Sequence, residues 1–179
     1  LEAFVLMGAF VTLFNYIGYR LLAEPYHMDQ AFVGLLSVVY LSGIYSSAKI
    51  GALADQLGRR KVLWATIVLM LAGLALTMLT PLPVVIIGML IFTFGFFGAH
   101  SVASSWIGRR AIKAKGQASS LYLFSYYAGS SIAGTAGGVF WHMGGWNGIG
   151  LFIGGLLVIA LLVAFDLAKL PRLPGTAQV

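Results

Sequence analysis

The sequence predicts an all-α membrane protein of six transmembrane helices, and three observations carry that expectation. Hydrophobic residues make up 60% of the 179 and charged residues only 9%. A soluble domain needs about a quarter of its residues charged to cover its surface, so the outer surface here has to face lipid. Six stretches are long and apolar enough to cross a bilayer, which takes about 20 residues of helix. The cations that give the net charge of +6 fall between these stretches rather than along a soluble face. They read as topology signals and not as a nucleic-acid patch.

The spans are expected at 4–22, 31–53, 62–80, 84–107, 118–141 and 149–167, together one bundle covering 1–179. The connections are short, and Glu24-Pro25, Pro81-Leu82-Pro83 and Gly144-Gly145-Trp146-Asn147-Gly148 carry turn chemistry. No soluble domain fits between them. Arg59, Arg60 and Lys61 occupy the second connection, Arg109, Arg110, Lys113 and Lys115 the fourth, and Lys169 and Arg172 the tail. The odd-numbered connections hold no Lys or Arg, although Arg20 sits just before the first. The positive-inside rule then puts the even connections and both chain ends in the cytoplasm. Leu1 is followed by no cationic n-region or A-x-A site, so a signal peptide is not expected. A start part-way through a longer protein is. With no cysteine, disulfides and thiolate metal sites are excluded.

The six spans differ in polarity. The third and sixth are nearly featureless aliphatic runs, whereas the first, second, fourth and fifth carry Asn15, His100 and most of the tyrosines and serines. Polar side chains in a membrane face a bundle interior or a water-filled cavity. Spans one, two, four and five are therefore expected to line a cavity, with three and six against lipid. Two triples with a peripheral third member match a 3+3 repeat.

In the first span Gly8, Thr12, Tyr16 and Arg20 follow one another at i+4, with Asn15 adjacent. That face is either a solute contact or a set of interhelical hydrogen bonds, and Arg20 is expected to snorkel to the interface. The second span aligns Gly43, Ser47, Gly51 and Asp55, a close-packing line. Tyr40 and Tyr45 lie on the same span, with Lys49 four residues after Tyr45 and expected at the membrane boundary. The fourth places Thr93, Phe96, Phe97, His100 and Ser104 on one face. His100 is the group in a span centre that titrates near neutral pH, and it is either a proton carrier or a hydrogen-bonded core residue. The fifth is rich in small residues, with Gly129, Ala133 and Gly137 on one line and Gly134 and Gly138 on the next, preceded by Tyr122, Ser125, Tyr126 and Tyr127. The glycines suit packing. The tyrosines suit a cavity wall for a mixed apolar and polar solute. Asn15, Tyr16, Tyr40, Tyr45, Phe97, His100, Tyr122 and Tyr126 are the candidate cavity residues.

The sequence has no H-E-x-x-H, no Cys/His cluster, no G-x-S-x-G elbow and no P-loop. Enzymatic activity, a bound metal and a cofactor are not expected. The acidic residues Glu2, Glu24, Asp29, Asp55 and Asp166 all lie at span ends or in connections.

The stretch GALADQLGRRKVL, residues 51–63, resembles the cytoplasmic loop signature of the major facilitator superfamily, G-x-L-a-D-r-x-G-r-k-x-x-l. Gly51, Leu53, Ala54, Asp55, Gly58, Arg59, Arg60 and Leu63 match it, and Gln56 replaces the usual basic residue. The run from Gly129 through Gly138 resembles a relaxed form of that superfamily's glycine-rich antiporter motif, with Gly134 at the usual proline position. The antiporter assignment is not carried over from it. The runs FVTLFNYIGYRL, AHSVASSWIG and AKGQASSLYLFSYY resemble the bacterial YnfM-type inner-membrane branch, near the drug and sugar efflux permeases.

The resemblance covers essentially the whole chain. It implies the C-terminal six-helix half of a twelve-helix secondary transporter in a bacterial inner membrane, exporting a small organic solute with proton coupling. Its partners would be the lipid bilayer, the solute, protons and an N-terminal six-helix half absent from this chain. Gly51, Asp55, Gly58, Arg59 and Arg60 would act as a conformational latch. With the other half missing, Asp55 is expected to face solvent or its own Arg59 and Arg60. The alternative is a six-helix membrane receptor, assembly subunit or interaction module that does not transport.

Overall fold

The structure, a computed structural model, describes residues 1–111 and 114–169. Lys113 and Arg172, two of the cations used above for orientation, lie outside the described residues. The chain is helical: α1 (Glu2–Leu22), a short α2 (Gln30–Leu35) continued by a 3-10 turn (Leu36–Val39) into α3 (Tyr40–Leu57), then α4 (Arg59–Thr77), α5 (Leu82–Arg110) and α6 (Lys115–Lys169). No strand occurs among the described residues. Five of these helical stretches are long and apolar enough to cross a membrane, the second being Gln30–Leu57.

Two features of the sequence shape the chain's reversals. Gly58 adopts φ +92 and ends α3 directly against α4 with no intervening loop, a backbone conformation that glycine adopts without strain. The helix after it begins at Arg59, so Arg59, Arg60 and Lys61 form its first turn rather than a free connection. Cations there oppose the helix dipole, and Asp55, one turn back along α3, is placed to offset Arg59. In α6 the helical φ/ψ fail at Gly144 and Gly145, the latter at φ +54. Phe140 and Phe152 nevertheless stack with centroids 4.3 Å apart. Twelve residues of straight helix would separate them by about 18 Å, so the two segments of α6 fold back on each other at this break.

Glycines set the helix pairing. A Cβ added at Gly73 of α4 would lie 2.6 Å from the Gly88 carbonyl oxygen of α5, and one at Gly95 would lie 2.7 Å from the Thr66 carbonyl oxygen. Gly8 of α1 meets Ala133 of α6 just as closely, and Gly129 packs against the Phe4 carbonyl. Thr12 then donates to the Ala133 carbonyl at 3.2 Å and Tyr16 to the Gly134 carbonyl at 3.3 Å. On the i+4 line of α1, Gly8 thus packs against α6 and Thr12 and Tyr16 hydrogen-bond to it. Along α3, Gly43 lies under the Phe97 ring, and Ser101 sits over both Gly51 and the Ser47 carbonyl. Ser46, beside the predicted line, is the buried serine and donates to the Phe94 carbonyl at 2.6 Å.

Arg20, expected at the interface, finds partners at the end of α4, where its guanidinium donates to the carbonyls of Thr77 and Leu79 and to the Tyr26 hydroxyl. It also stacks over the rings of Tyr26 and Trp146, at 5.5 and 5.1 Å. The physical reason is the helix terminus: the last carbonyls of α4 lack intrahelical partners and carry partial negative charge. Trp146 completes the clasp by donating to the Thr77 carbonyl at 2.9 Å.

These contacts predict the outcome of three substitutions. Gly73→Ala should destabilise the purified protein by about 1–3 kcal/mol through overpacking. Gly155→Ala, where nothing lies within 4 Å, should be neutral or stabilising by up to about 1 kcal/mol. Arg20→Ala should cost about 2 kcal/mol or more, since hydrogen bonds from a charged donor are lost, whereas a snorkelling arginine would cost almost nothing. Denaturant or thermal unfolding followed by circular dichroism checks all three.

Candidate functional site

Aromatic rings from four helices meet on the face between the α1–α6 pair and the α3–α5 pair. Phe10 of α1 stacks on Phe96 of α5 at 4.0 Å and meets the edge of Phe97 at 5.8 Å. Phe14 stacks on Tyr40 of α3 at 4.9 Å, and Tyr40 meets Phe97 edge-on at 6.4 Å. From Phe96 the seam continues to His100 at 6.0 Å, and from His100 to Tyr126 at 4.9 Å. The Tyr122 hydroxyl and His100 Nδ1 are hydrogen-bonded at 2.9 Å, the tautomer deciding which of them donates.

Among the residues predicted to face solute, Tyr40, Phe97, His100, Tyr122 and Tyr126 thus come together. Tyr16 lies apart, stacked on Trp141 at 5.9 Å with Tyr19 beside both. Asn15 is exposed next to Gly134. Tyr45 is exposed on α3, with the Lys49 ammonium 5.9 Å from its ring centroid. Phe10, Phe14 and Trp141 escaped a search based on polar groups in the spans, because nothing about them is polar enough to stand out. The i+4 spacing of Phe10 and Phe14 on one face of α1 was the available signal.

The loop signature forms a compact ionic cluster. Asp55 Oδ1 contacts Arg59 of α4 and, at 3.4 Å, Arg109 at the end of α5. Pairing with Arg59 is one of the arrangements the sequence suggested; Arg109 is new. Its charge was read only as a topology signal, and 54 residues of sequence hide the contact. Gly58 makes the cluster possible by turning α4 sharply back toward Asp55.

A cavity of about 630 Å³ opens at the same end of the bundle, among the start of α1, the end of α5 and both ends of α6. Tyr122 is the one predicted cavity residue on its wall, which also includes Glu2, Trp106, Arg110 and Ser125. Glu2 was read only as a span-end residue, yet it is buried.

A helical bundle with glycine-mediated pairing, an Asp–Arg loop cluster and a ring-lined face is now matched by comparison with known proteins. The family model described as Major Facilitator Superfamily matches residues 3–178. The chain belongs to that superfamily. It is 63% identical over 168 residues to the inner membrane transport protein YnfM of Escherichia coli (strain K12), a match covering 94% of this chain and 40% of YnfM. An uncharacterized MFS-type transporter of Bacillus subtilis (strain 168), YybF, is 48% identical over 174 residues, covering 97% of this chain and 43% of YybF. An uncharacterized transporter of Buchnera aphidicola subsp. Schizaphis graminum is 49% identical over 166 residues, covering 93% and 40%. The chain spans about 40% of the length of these curated relatives. All three relatives are named as transporters.

Proposed function

We propose that this chain is the C-terminal six-helix half of a secondary transporter that moves a small organic solute, such as a drug or sugar, out of a bacterial cell by alternating access coupled to protons. The observation that carries the reading is the ring-lined face and what flanks it. On α3, Leu41, Ile44 and Tyr45 are exposed, and on the first segment of α6 so are Phe124, Tyr127 and Ile132. A second bundle docking there would cover these apolar side chains and close a cavity over Tyr40, Phe97, His100 and Tyr126. Asn15, Tyr16, Tyr45 and Tyr122 complete the proposed solute-facing set, and Gly43, Ser47, Gly129, Gly134, Gly137 and Gly138 hold its helices at close range.

The break at Gly144-Gly145 supports counting α6 as two spans, hence six, arranged as two three-helix repeats. The cations at the Asp55 end support a cytoplasmic location for that end and for both ends of the chain. Asp55, Arg59 and Arg109, with Gly51, Gly58 and Arg60, are proposed as the latch that holds the cytoplasmic side closed. The resemblance to efflux permeases supports outward movement, with antiport against protons as the coupling.

The test is flux in proteoliposomes containing the full-length parent protein, with an imposed proton gradient and a panel of amphipathic drugs and sugars. Gradient-driven movement of at least one is expected; none moving would argue against proton-coupled export. Asp55→Asn should change unfolding stability by about 1 kcal/mol or less, because the Asp55 carboxylate itself is exposed to solvent. It should nevertheless lower flux about tenfold, the equivalent of about 1.4 kcal/mol. A variant that transports like the wild type would remove the latch.

A further inference from the structure

Glu2 is 8% exposed, and neither of its carboxylate oxygens has a hydrogen-bond partner among the described residues. Glu2 forms part of the wall of the 630 Å³ cavity at the Asp55 end. A buried carboxylate with no donor is costly and relieves that cost by taking up a positively charged partner, a proton or a cation.

The surroundings identify that partner. Besides Glu2, the charged or titratable side chains on the cavity wall are Arg110 of α5 and Tyr122 of α6. The Arg110 guanidinium stacks over Trp106 at 5.9 Å. Tyr122, buried, joins the cavity to the bundle interior through its 2.9 Å hydrogen bond to His100 Nδ1. A metal ion would need several oxygen ligands around Glu2, and the wall offers besides it only the Tyr122 and Ser125 hydroxyls among largely aliphatic side chains; an organic cation would share the cavity with the Arg110 guanidinium, which already covers Trp106. A proton needs one carboxyl oxygen and a route.

We propose that Glu2 binds the coupling proton at this end of the bundle and that Tyr122 passes it to and from His100. The inference rests on the proton-coupled reading above and names the residues that carry it. A proton from water in the cavity forms an O–H bond on Glu2, giving the neutral acid. On transfer that bond breaks, and the proton moves through a cavity water to the Tyr122 oxygen while the phenolic proton passes to Nδ1. The imidazole becomes imidazolium and the Glu2 carboxylate is restored; the reverse sequence returns the proton. The cavity is large enough for the bridging water, whose share of liquid volume is about 30 Å³.

Infrared titration of the full-length transporter in lipid tests the site without any solute. A protonated-carboxyl stretch that titrates with pH in choline buffer and disappears in Glu2→Gln is expected. N,N′-dicyclohexylcarbodiimide, which attacks protonated carboxyls in apolar surroundings, should leave its adduct on Glu2 in wild-type protein, a reading that survives if the variant fails to fold. A Glu2 that stays ionised throughout, or that answers to sodium instead of pH, overturns the proposal. With ethidium as the flux probe, Tyr122→Phe should keep the Glu2 band and lose gradient-driven flux, and full flux in that variant overturns the relay. If wild-type protein moves no probe under a proton gradient, the transport reading fails, while the infrared result still decides whether Glu2 is a proton site.

Discussion

Helices in lipid gain nothing from the hydrophobic effect when they associate, because the lipid tails are as apolar as the side chains. Their contacts have to come from packing and from polar bonds across the interface, and here both depend on missing Cβ atoms. At Gly8 a methyl group would lie 2.7 Å from the Ala133 Cβ, and at Gly73 it would lie against the Gly88 carbonyl and the backbone of Phe92. These separations are available only to glycine. They also bring donors within reach of the opposite backbone: Thr12 meets the Ala133 carbonyl because Gly8, one turn earlier, lets α1 approach α6. Packing and hydrogen bonding are thus one constraint rather than two.

That constraint divides the bundle. Within the α1–α6 and α4–α5 pairs the backbones meet at glycine, and in the α3–α5 pair side chains of one helix pack onto glycines of the other, so shifting one helix along its partner means moving hard contacts. Between the α1–α6 pair and the α3–α5 pair the joint consists largely of rings: Phe10 on Phe96, Phe14 on Tyr40, His100 on Tyr126. Each such contact is worth about 0.5–1.5 kcal/mol and tolerates stacked, tilted and edge-on geometries. On the proposed reading the solute-facing residues occupy this more adaptable seam, and the glycine-locked pairs supply rigid walls on either side.

Much of this was legible in the sequence because a bilayer restricts the solutions. Long apolar runs, short turns and clustered cations leave few arrangements, and Gly43, Ser47 and Gly51 announced a packing face by spacing alone. What escaped had one of two causes. Arg20 followed the general behaviour of arginine near a membrane edge, but the end of α4, 57 residues away, offered it carbonyls, and no local pattern records that encounter. Ser46 and Arg109 were hidden likewise by distance along the chain. Glu2 was passed over because polarity at a span end reads as ordinary, and its burial depends on α5 and α6 closing around it. Helix existence is a local property of the chain, whereas the partner of a polar side chain is not.

The line from Gly43 to Asp55 gains meaning from its counterpart on α5. Phe97, Ser101 and Arg109 recur at multiples of four residues, and each meets the α3 line in order: Phe97 over Gly43, Ser101 over Ser47 and Gly51, Arg109 at Asp55. Matching order along both chains means that the two helices run parallel and stay in register from the aromatic seam to the ionic cluster. Gly43 sits under the ring that closes the seam, and Asp55 ends the same face three turns later. Tilting α3 relative to α5 would therefore disturb the Phe97 contact and the Asp55–Arg109 contact together. On the proposed reading, this is how a loop at one end of the bundle and the solute-facing rings deeper inside respond to the same movement: they lie on one rigid seam, so a rearrangement of the latch need not be relayed through a chain of intermediate side chains.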